Sequence, residues 1–221
     1  MTDEVGIIVP RVADYALAHS TPPDAVQQQL QETTATEVGS HAIMQISPLQ
    51  GAFMGVLTAA LQPRLAVEVG TFTGYSALAV ARAMPSDGRL ICCDVSEEWT
   101  AIARQAWAEA GLDDRIELRI GPAIDTLRSF PVDMRIDLAF IDADKTGYID
   151  YFEELVPRLA AHGLILVDNV LWGGSVADDS DRSESTMALR EFSRHVLDDE
   201  RVDVAVLPIG DGISMIGRRL D

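Results

Sequence analysis

Positive charge is scarce in this chain: 17 Lys and Arg face 35 Asp and Glu, for a net charge of −18. A surface of that sign repels phosphate backbones, which argues against nucleic acid as a partner. It favours solubility and attracts cations. Long apolar runs are missing too. None approaches the roughly 18–20 residues needed to span a bilayer, so no membrane is expected as a partner. The N-terminus, Met1-Thr2-Asp3-Glu4, is acidic where a signal peptide is basic, and no apolar stretch with a cleavage site follows it. Together these absences lead to the expectation of a cytoplasmic protein. Cysteine is nearly absent, with only Cys92 and Cys93. Neighbours in a strand point to opposite faces, so no disulfide is expected between them, and no further sulfur exists for a zinc site. Both read as packing residues. The histidines, His19, His41, His162 and His195, are scattered, and none lies beside a Ser or Cys in a nucleophile pattern. Hydrolase chemistry therefore lacks support.

What is present is the material of one α/β domain. At 221 residues, 48% of them hydrophobic, the chain suits a single domain that hides roughly 70% of its unfolded surface. Residues 1–221 read as one unit, with a helical cover over 1–61 and a sheet core over 62–221. From Leu65 onward short apolar runs alternate with helical patterns. The runs Leu65–Val69, Arg89–Asp94, Arg115–Arg119, Ile136–Ile141 and Gly163–Val167 are β-branched and apolar, as strands buried on both faces should be. Between them Tyr75–Met84, Glu97–Ala110, Pro122–Phe130 and Tyr148–Leu159 are long enough for crossover helices. Glu184–Leu197 reads as a further helix, and the strands Val202–Leu207 and Ile213–Arg218 form a hairpin about a glycine-containing loop. The expected architecture is a single doubly wound, mostly parallel, seven-stranded sheet with an antiparallel C-terminal hairpin. Before it, Val9–His19, Asp24–Thr36 and Leu49–Leu61 look helical, with Pro22-Pro23 separating the first two. These helices are expected to cover the open end of the sheet or a partner subunit.

In such folds ligands bind beyond the carboxyl ends of the strands, near the point where strand order reverses. The first strand ends in Glu68-Val69-Gly70-Thr71-Phe72-Thr73-Gly74-Tyr75-Ser76 and then a helix. Gly70 and Gly74 lack Cβ, so the loop can turn sharply and admit a ligand against its backbone. A dinucleotide fingerprint has glycine where Glu68 stands, and a carboxylate there repels pyrophosphate. It tolerates a positively charged cofactor, and S-adenosylmethionine carries an ammonium and a sulfonium. Asp94 closes the second strand, where an acidic side chain accepts both ribose hydroxyls.

The fourth strand runs into Asp142-Ala143-Asp144-Lys145 and the fifth into Asp168-Asn169. Neighbouring strand ends lie about 5 Å apart, so Asp142, Asp168 and Asn169 can converge on one point. Three oxygen donors without His or Cys suit a hard cation: Mg²⁺ first, with Mn²⁺ or Ca²⁺ as substitutes. The plainer alternative is that these acids are solvated loop residues or helix caps.

Four segments, Glu68–Ser76 (EVGTFTGYS), Phe140–Lys145 (FIDADK), Val167–Gly173 (VDNVLWG) and Leu207–Gly212 (LPIGDG), together resemble the caffeoyl-CoA and catechol O-methyltransferase family. The similarity runs from Pro48-Leu49-Gln50-Gly51 to the C-terminal hairpin. It implies a class I, Rossmann-like methyltransferase fold, S-adenosylmethionine as co-substrate, and a metal that chelates both oxygens of a vicinal aromatic diol. The resemblance implies Asp142, Asp168 and Asn169 as metal ligands. It implies cofactor contacts from Ile46, Glu68, Gly70, Thr71, Ser76, Asp94, Ala123, Asp142 and Asp144. A homodimer is likewise implied. The family's plant enzymes have a basic residue near the N-terminus for coenzyme A, and its counterpart cannot be placed in this chain. Arg11 and the Val38–Ile46 segment are the candidates for touching a substrate tail.

For methyl transfer the acceptor oxygen must be a good nucleophile and correctly aimed. Lys145 lies three residues after Asp142, near one helical turn, and so reaches the same space. A cation alongside favours its free amine, which can then act as general base; this matches the family's proposed base. The alternative is a solvated charge paired with Asp144 or Asp142. Trp172 either walls the acceptor ring or packs under its own loop. The stretch around Gly173-Gly174 and Ala177–Ser185 suits a loop at the site's rim. Two rival classes remain: a nicotinamide-dependent oxidoreductase on a similar sheet, and a non-catalytic S-adenosylmethionine-binding protein.

Overall fold

Proline and capping side chains set where the N-terminal helices begin. In the computed structural model, which describes residues 9–219, α1 (Pro10–Ala18) starts on a proline whose missing N–H costs nothing in a first turn. The acidic Met1–Glu4 stretch lies outside the described residues. Asp24 caps α2 (Ala25–Glu37) by accepting from the Gln27 backbone at 3.0 Å, and Gln27 Oε1 accepts in return from the Asp24 N–H. Ser47 caps α3 (Pro48–Leu61) through the Gln50 N–H. Helix α1 buries no residue of its own.

The sheet follows the expected rhythm. Strands β1 (Leu65–Val69), β2 (Arg89–Asp94), β3 (Ile116–Ile120), β4 (Ile136–Ile141), β5 (Leu159–Val167), β6 (Val202–Leu207) and β7 (Ile213–Arg218) lie in the order β3-β2-β1-β4-β5-β7-β6. The first five are parallel to their neighbours, and β7 is antiparallel to both β5 and β6. Six strands therefore share one direction and β7 alone opposes them. The hairpin is seated with its second strand inward, against β5.

Helices α4 (Tyr75–Ala83), α5 (Glu97–Glu109), α6 (Ala123–Ser129), α7 (Tyr148–Leu155) and α8 (Glu184–Leu197) complete the fold. Side chains of α4 and α5 pack with Leu90, Cys92, Leu138 and Leu166 on one face of the sheet, and α2 and α3 lie over them. Side chains of α6, α7 and α8 pack with Ile91, Cys93, Ala139 and Ile165 on the other. Cys92 and Cys93 are both free and buried, one in each cluster, as the alternation of a strand requires. The crossovers change face between β1 and β4, and a crevice opens at that switch point.

Two boundaries differ from the sequence reading by more than one residue. Helix α7 stops at Leu155, because Pro157 forces a short 3₁₀ turn over Val156–Arg158. Strand β5 starts at Leu159 rather than Gly163. Its register slips between the pairs Ile136–Leu159 and Leu138–Leu164, and a Cβ at Gly163 would stand 2.8 Å from the Ile136 carbonyl oxygen. The glycine belongs to a bulge inside the strand, where it looked like the strand's beginning. No helix among the described residues is long and apolar enough to cross a membrane.

Candidate active site

Backbone hydrogen bonds carry the sheet one residue past the strand ends and so level the site. Gly70 N–H donates to the Cys93 carbonyl (2.9 Å), Asp142 N–H to Val69 (2.8 Å), Asp168 N–H to Ile141 (2.9 Å) and Gly121 N–H to Asp94 (2.9 Å). The residues that follow β1, β2, β4 and β5 thus meet at one mouth, around a cavity of about 1070 Å³. Its wall includes Ile46, Gly70, Thr71, Ser76, Asp94, Ala123, Asp142, Asp144, Lys145, Asp168, Asn169 and Trp172. Of the residues expected at the cofactor, metal and catalytic positions, Glu68 alone stands off this wall; of the substrate-tail candidates Arg11 stands off it, while the Val38–Ile46 segment contributes Ile43 to Ile46.

The loop after β1 is shaped by a close approach. A Cβ on Gly70, whose φ is +87°, would lie 2.0 Å from the Asp142 carbonyl oxygen, so only glycine lets the two strand ends touch. Asp94 holds the loop from the other side. Its Oδ2 accepts from the Thr71 and Phe72 N–H groups at 2.8 Å each, and its Oδ1 from Ser96 N–H at 2.8 Å. The carboxylate is therefore fixed in place, with a free acceptor site on Oδ1 left over for a ligand hydroxyl. Beneath the loop Glu68 is 1% exposed, and burial pushes its carboxyl up to about 8 against the lowering effect of the Ser76 and Thr71 hydroxyls. Its Oε2 has no hydrogen-bond partner. A buried carboxyl of this kind is neutral at pH 7 unless a cation lies nearby.

A second buried link reaches the loop from α2. Gln45 Nε2 donates to the hydroxyls of Thr34 and Thr73 at 3.0 Å each, and Thr34 donates to Thr73 at 2.9 Å. The Phe72 ring meets the Trp99 ring edge-on at 5.1 Å, and His41 lies 5.7 Å from Trp99 on its other flank. Phe72 and Trp99 make the cavity wall at this end aromatic.

At the ends of β4 and β5 one ammonium serves many oxygens. Lys145 Nζ donates to Asn169 Oδ1 (2.6 Å), Tyr148 OH (2.7 Å), the Ala143 carbonyl (3.0 Å) and Asp142 Oδ1 (3.2 Å). Of the two sequence readings of Lys145, the pairing with Asp142 is present, but the pair is largely buried rather than solvated. Burial raises the Asp142 carboxyl and, with the Asp142 charge, pushes that of Asp168 up to about 7. Asn169 has a φ of +58°, unusual outside glycine, which turns its amide oxygen to the ammonium. Oxygen donors around a point already holding positive charge, on carboxyls disfavoured as anions by burial, fit a hard divalent cation. A second convergence, Glu153, His195 and Asp199, lies elsewhere, and Arg201 already holds both its carboxylates.

Trp172 lies between the core and the cavity. It packs against the core and also faces the cavity, with Lys145 Nζ 5.6 Å from its ring centre. The rim that follows is a 3₁₀ stretch, Trp172–Ala177, bent by positive φ at Trp172, Gly173 and Gly174. Arg190 of α8 ties this rim down, donating to the carbonyls of Ser175, Val176, Asp178 and Asp181.

Several contributors escaped the sequence reading. Tyr151 donates to Asp144 Oδ1 at 2.6 Å, and Gln50 Nε2 donates to Asp168 Oδ2 at 2.6 Å. Neither announces itself, since a tyrosine or an amide on an apolar helix is ordinary. Lys145 did carry a signal: it is the one lysine among 16 arginines. Arginine stays protonated in proteins and lysine need not, so the two side chains differ in what they can do at this position.

Comparison with known proteins agrees with this layout. The profile of a family described as O-methyltransferase matches residues 18–219. A "Probable caffeoyl-CoA O-methyltransferase 2" of Dictyostelium discoideum is 39% identical over 210 residues, covering 93% of this chain and 90% of its own. A caffeoyl-CoA O-methyltransferase of Stellaria longipes is 33% identical over 213 residues, covering 92% and 88%. Among solved structures, the SAH-bound methyltransferase of Podospora anserina superposes with a TM-score of 0.87 at 30% identity, covering 97% of this chain and all of that one.

Proposed function

Because the chain belongs to the O-methyltransferase family and is an S-adenosylmethionine-dependent O-methyltransferase, we propose that it methylates one hydroxyl of a vicinal aromatic diol with the help of a divalent cation. The observation that carries this reading is the meeting of Asp142, Asp168, Asn169 and Lys145 on one cavity wall, level with the glycine loop. The same wall gives the family reading more support than a nicotinamide enzyme or an inert scaffold.

In this reading Asp142, Asp168 and Asn169 hold Mg²⁺, or Mn²⁺ or Ca²⁺ in its place. When bound, the cation lowers the pKa of a phenol, ordinarily about 10, and fixes both diol oxygens. The remaining work falls to the chain. Gly70, Thr71, Ser76, Asp94, Ala123, Asp144 and Ile46 seat the cofactor. Glu68 answers its positive charge from below, the proton leaving Glu68 as the ligand binds. Lys145 Nζ first gives one proton to solvent and, as the free amine, takes the phenolic proton; the oxygen forms its bond to the methyl carbon, and the carbon–sulfur bond breaks to release neutral S-adenosylhomocysteine. Opposite charges cancel in this step, so alignment is the larger task, with roughly 7–11 kcal/mol as its upper range. Trp172 forms one wall for the ring.

The acceptor in this proposal is a small free catechol rather than a coenzyme A ester. Asp94, Asp142, Asp144, Asp168, Glu184 and Asp211 all line the cavity, against the single cation Lys145. A polyphosphate tail finds little attraction at such a mouth, although both named relatives are caffeoyl-CoA enzymes. The enzyme is further proposed to be a homodimer. Val12, Tyr15 and Leu17 of α1 and Val56 of α3 are exposed apolar side chains that a second copy would cover. The free thiols of Cys92 and Cys93 suit the reducing cytoplasm.

The test is a panel of catechol, caffeate and caffeoyl-CoA with S-adenosylmethionine, with chelator and with Mg²⁺ restored. Expected is methylation of the free diols that chelator abolishes and Mg²⁺ recovers. Full rate in chelator, or no transfer to any diol, refutes the reading; a preference for caffeoyl-CoA refutes the acceptor class alone.

A further inference from the structure

We propose that Gln50 is a positioning residue for the cation site, its side-chain amide fixing the rotation of the Asp168 carboxylate. This inference rests on the reading that Asp142, Asp168 and Asn169 hold a divalent cation.

Gln50 stands in the first turn of α3, in the N-terminal cover rather than the sheet core, and is 2% exposed. Its Nε2 lies 2.6 Å from Asp168 Oδ2, a short contact of the kind made to a charged acceptor. The other carboxylate oxygen, Oδ1, accepts the Asn169 N–H at 2.7 Å. Each oxygen therefore has one fixed donor and keeps lone pairs free, which is the condition a carboxylate needs to present a defined edge to an ion. The backbone beneath is fastened separately, by Tyr148 OH donating to the Asp168 carbonyl at 3.1 Å. Rotation of the carboxylate itself is governed by Gln50 and the Asn169 N–H.

Gln50 in turn is held at two points, its backbone and its side-chain oxygen. Ser47 caps the Gln50 backbone N–H at 3.2 Å. Gly210, in the loop between β6 and β7, leaves room for its oxygen; a Cβ there would stand 2.5 Å from Gln50 Oε1. The oxygen is thus packed toward the hairpin loop and the NH₂ toward Asp168. The residue type also matters. Glutamine donates without adding charge, so the site keeps two carboxylates, whereas glutamate would set a third against Asp168. Ligand charge count is a main control on divalent affinity.

Metal-stripped full-length protein is titrated with Mn²⁺ by calorimetry or electron paramagnetic resonance, and S-adenosylmethionine affinity is measured on the same samples. Gln50→Met keeps the volume and loses the donor. It should weaken Mn²⁺ about ten- to a hundredfold, the usual effect of removing a partner of a metal ligand, with cofactor affinity close to wild type. Gln50→Glu should move Mn²⁺ affinity the other way at neutral pH. Wild-type Mn²⁺ affinity in Gln50→Met overturns the proposal, as does an equal loss of Mn²⁺ and cofactor affinity, which marks a packing role. Should Gln50→Met not fold, wild-type Mn²⁺ affinity in Gln50→Leu, which likewise lacks the donor, overturns it. A wild-type protein that binds no Mn²⁺ removes the cation itself, and this inference with it.

Discussion

Replacing Lys145 by arginine separates a charge from a base. The ammonium has three protons and four oxygen neighbours between 2.6 and 3.2 Å, so much of its visible work is electrostatic. Lys145→Arg keeps the positive charge but cannot give up a proton at any accessible pH. If Lys145 takes the phenolic proton, the loss should be that of a general base, about 10²- to 10⁴-fold in kcat, or roughly 3–5 kcal/mol on the barrier. Single-turnover transfer of labelled methyl to catechol, with Mg²⁺ and both substrates saturating, measures it from pH 6 to 10. The deficit should shrink toward pH 10, where the phenol ionises without help. Lys145→Met adds a control on the electrostatic part. It leaves Asp142, whose side chain is only 18% exposed, without its cation. Breaking a buried pair costs about 3 kcal/mol, or roughly 6–12 °C in Tm for a chain of this size, and Mg²⁺ should recover much of it. Lys145→Arg turning over within about tenfold of wild type at neutral pH would refute the base.

Three further outcomes follow from neighbouring features. The Glu68 carboxyl is raised from 4.5 to about 8, so its contribution to stability is fully present below about pH 4.5 and is lost as pH rises toward 8. Glu68→Gln should therefore match wild type at acid pH and exceed it increasingly up to pH 8, by an upper bound on the order of 5 kcal/mol; urea midpoints that stay parallel across that range contradict this. Gly70→Ala places a methyl 2.0 Å from the Asp142 carbonyl oxygen at a φ of +87°; cofactor binding should be lost by fluorescence titration, with Tm lowered, and a normal titration would refute the close approach. Arg190→Met removes the donor shared by four rim carbonyls; acceptor KM should rise several-fold with cofactor affinity held, and the reverse pattern would argue that the rim serves the cofactor.

The middle of the sheet was legible because β1, β2 and β4 are largely buried on both faces. Runs such as Ile136–Ile141 have no solvent side to break their apolarity, and β1, β2, β4, β6 and β7 lie where the pattern put them. What failed was local: Gly163 and Pro157 each act within a few residues and shift a boundary without changing the pattern around it. Irregular segments could be placed near the site but not given a shape. The 3₁₀ stretches Gly39–Met44 and Trp172–Ala177 have no period to read, yet both reach the cavity wall. In the site, acids placed directly after strands were readable, since topology dictates where strand ends go. Gln50 and Tyr151 were not, because their partners lie 118 and 7 residues away and only folding brings the donor to its carboxylate.

The levelled strand ends also bear on how such an enzyme can change its diet. Gly70, Asp142 and Asp168 are stitched laterally, each through its N–H to the adjoining strand, so the two halves of the reaction centre share one stiff floor. The surrounding banks are the cover helices, which reach that floor through side chains such as Gln50, and the Trp172–Ala177 bend, which hangs from it by one backbone bond, from the Trp172 N–H to the Asn169 carbonyl. Acceptors of new shape can be admitted by reshaping the banks while the distance over which the methyl travels stays as the floor sets it.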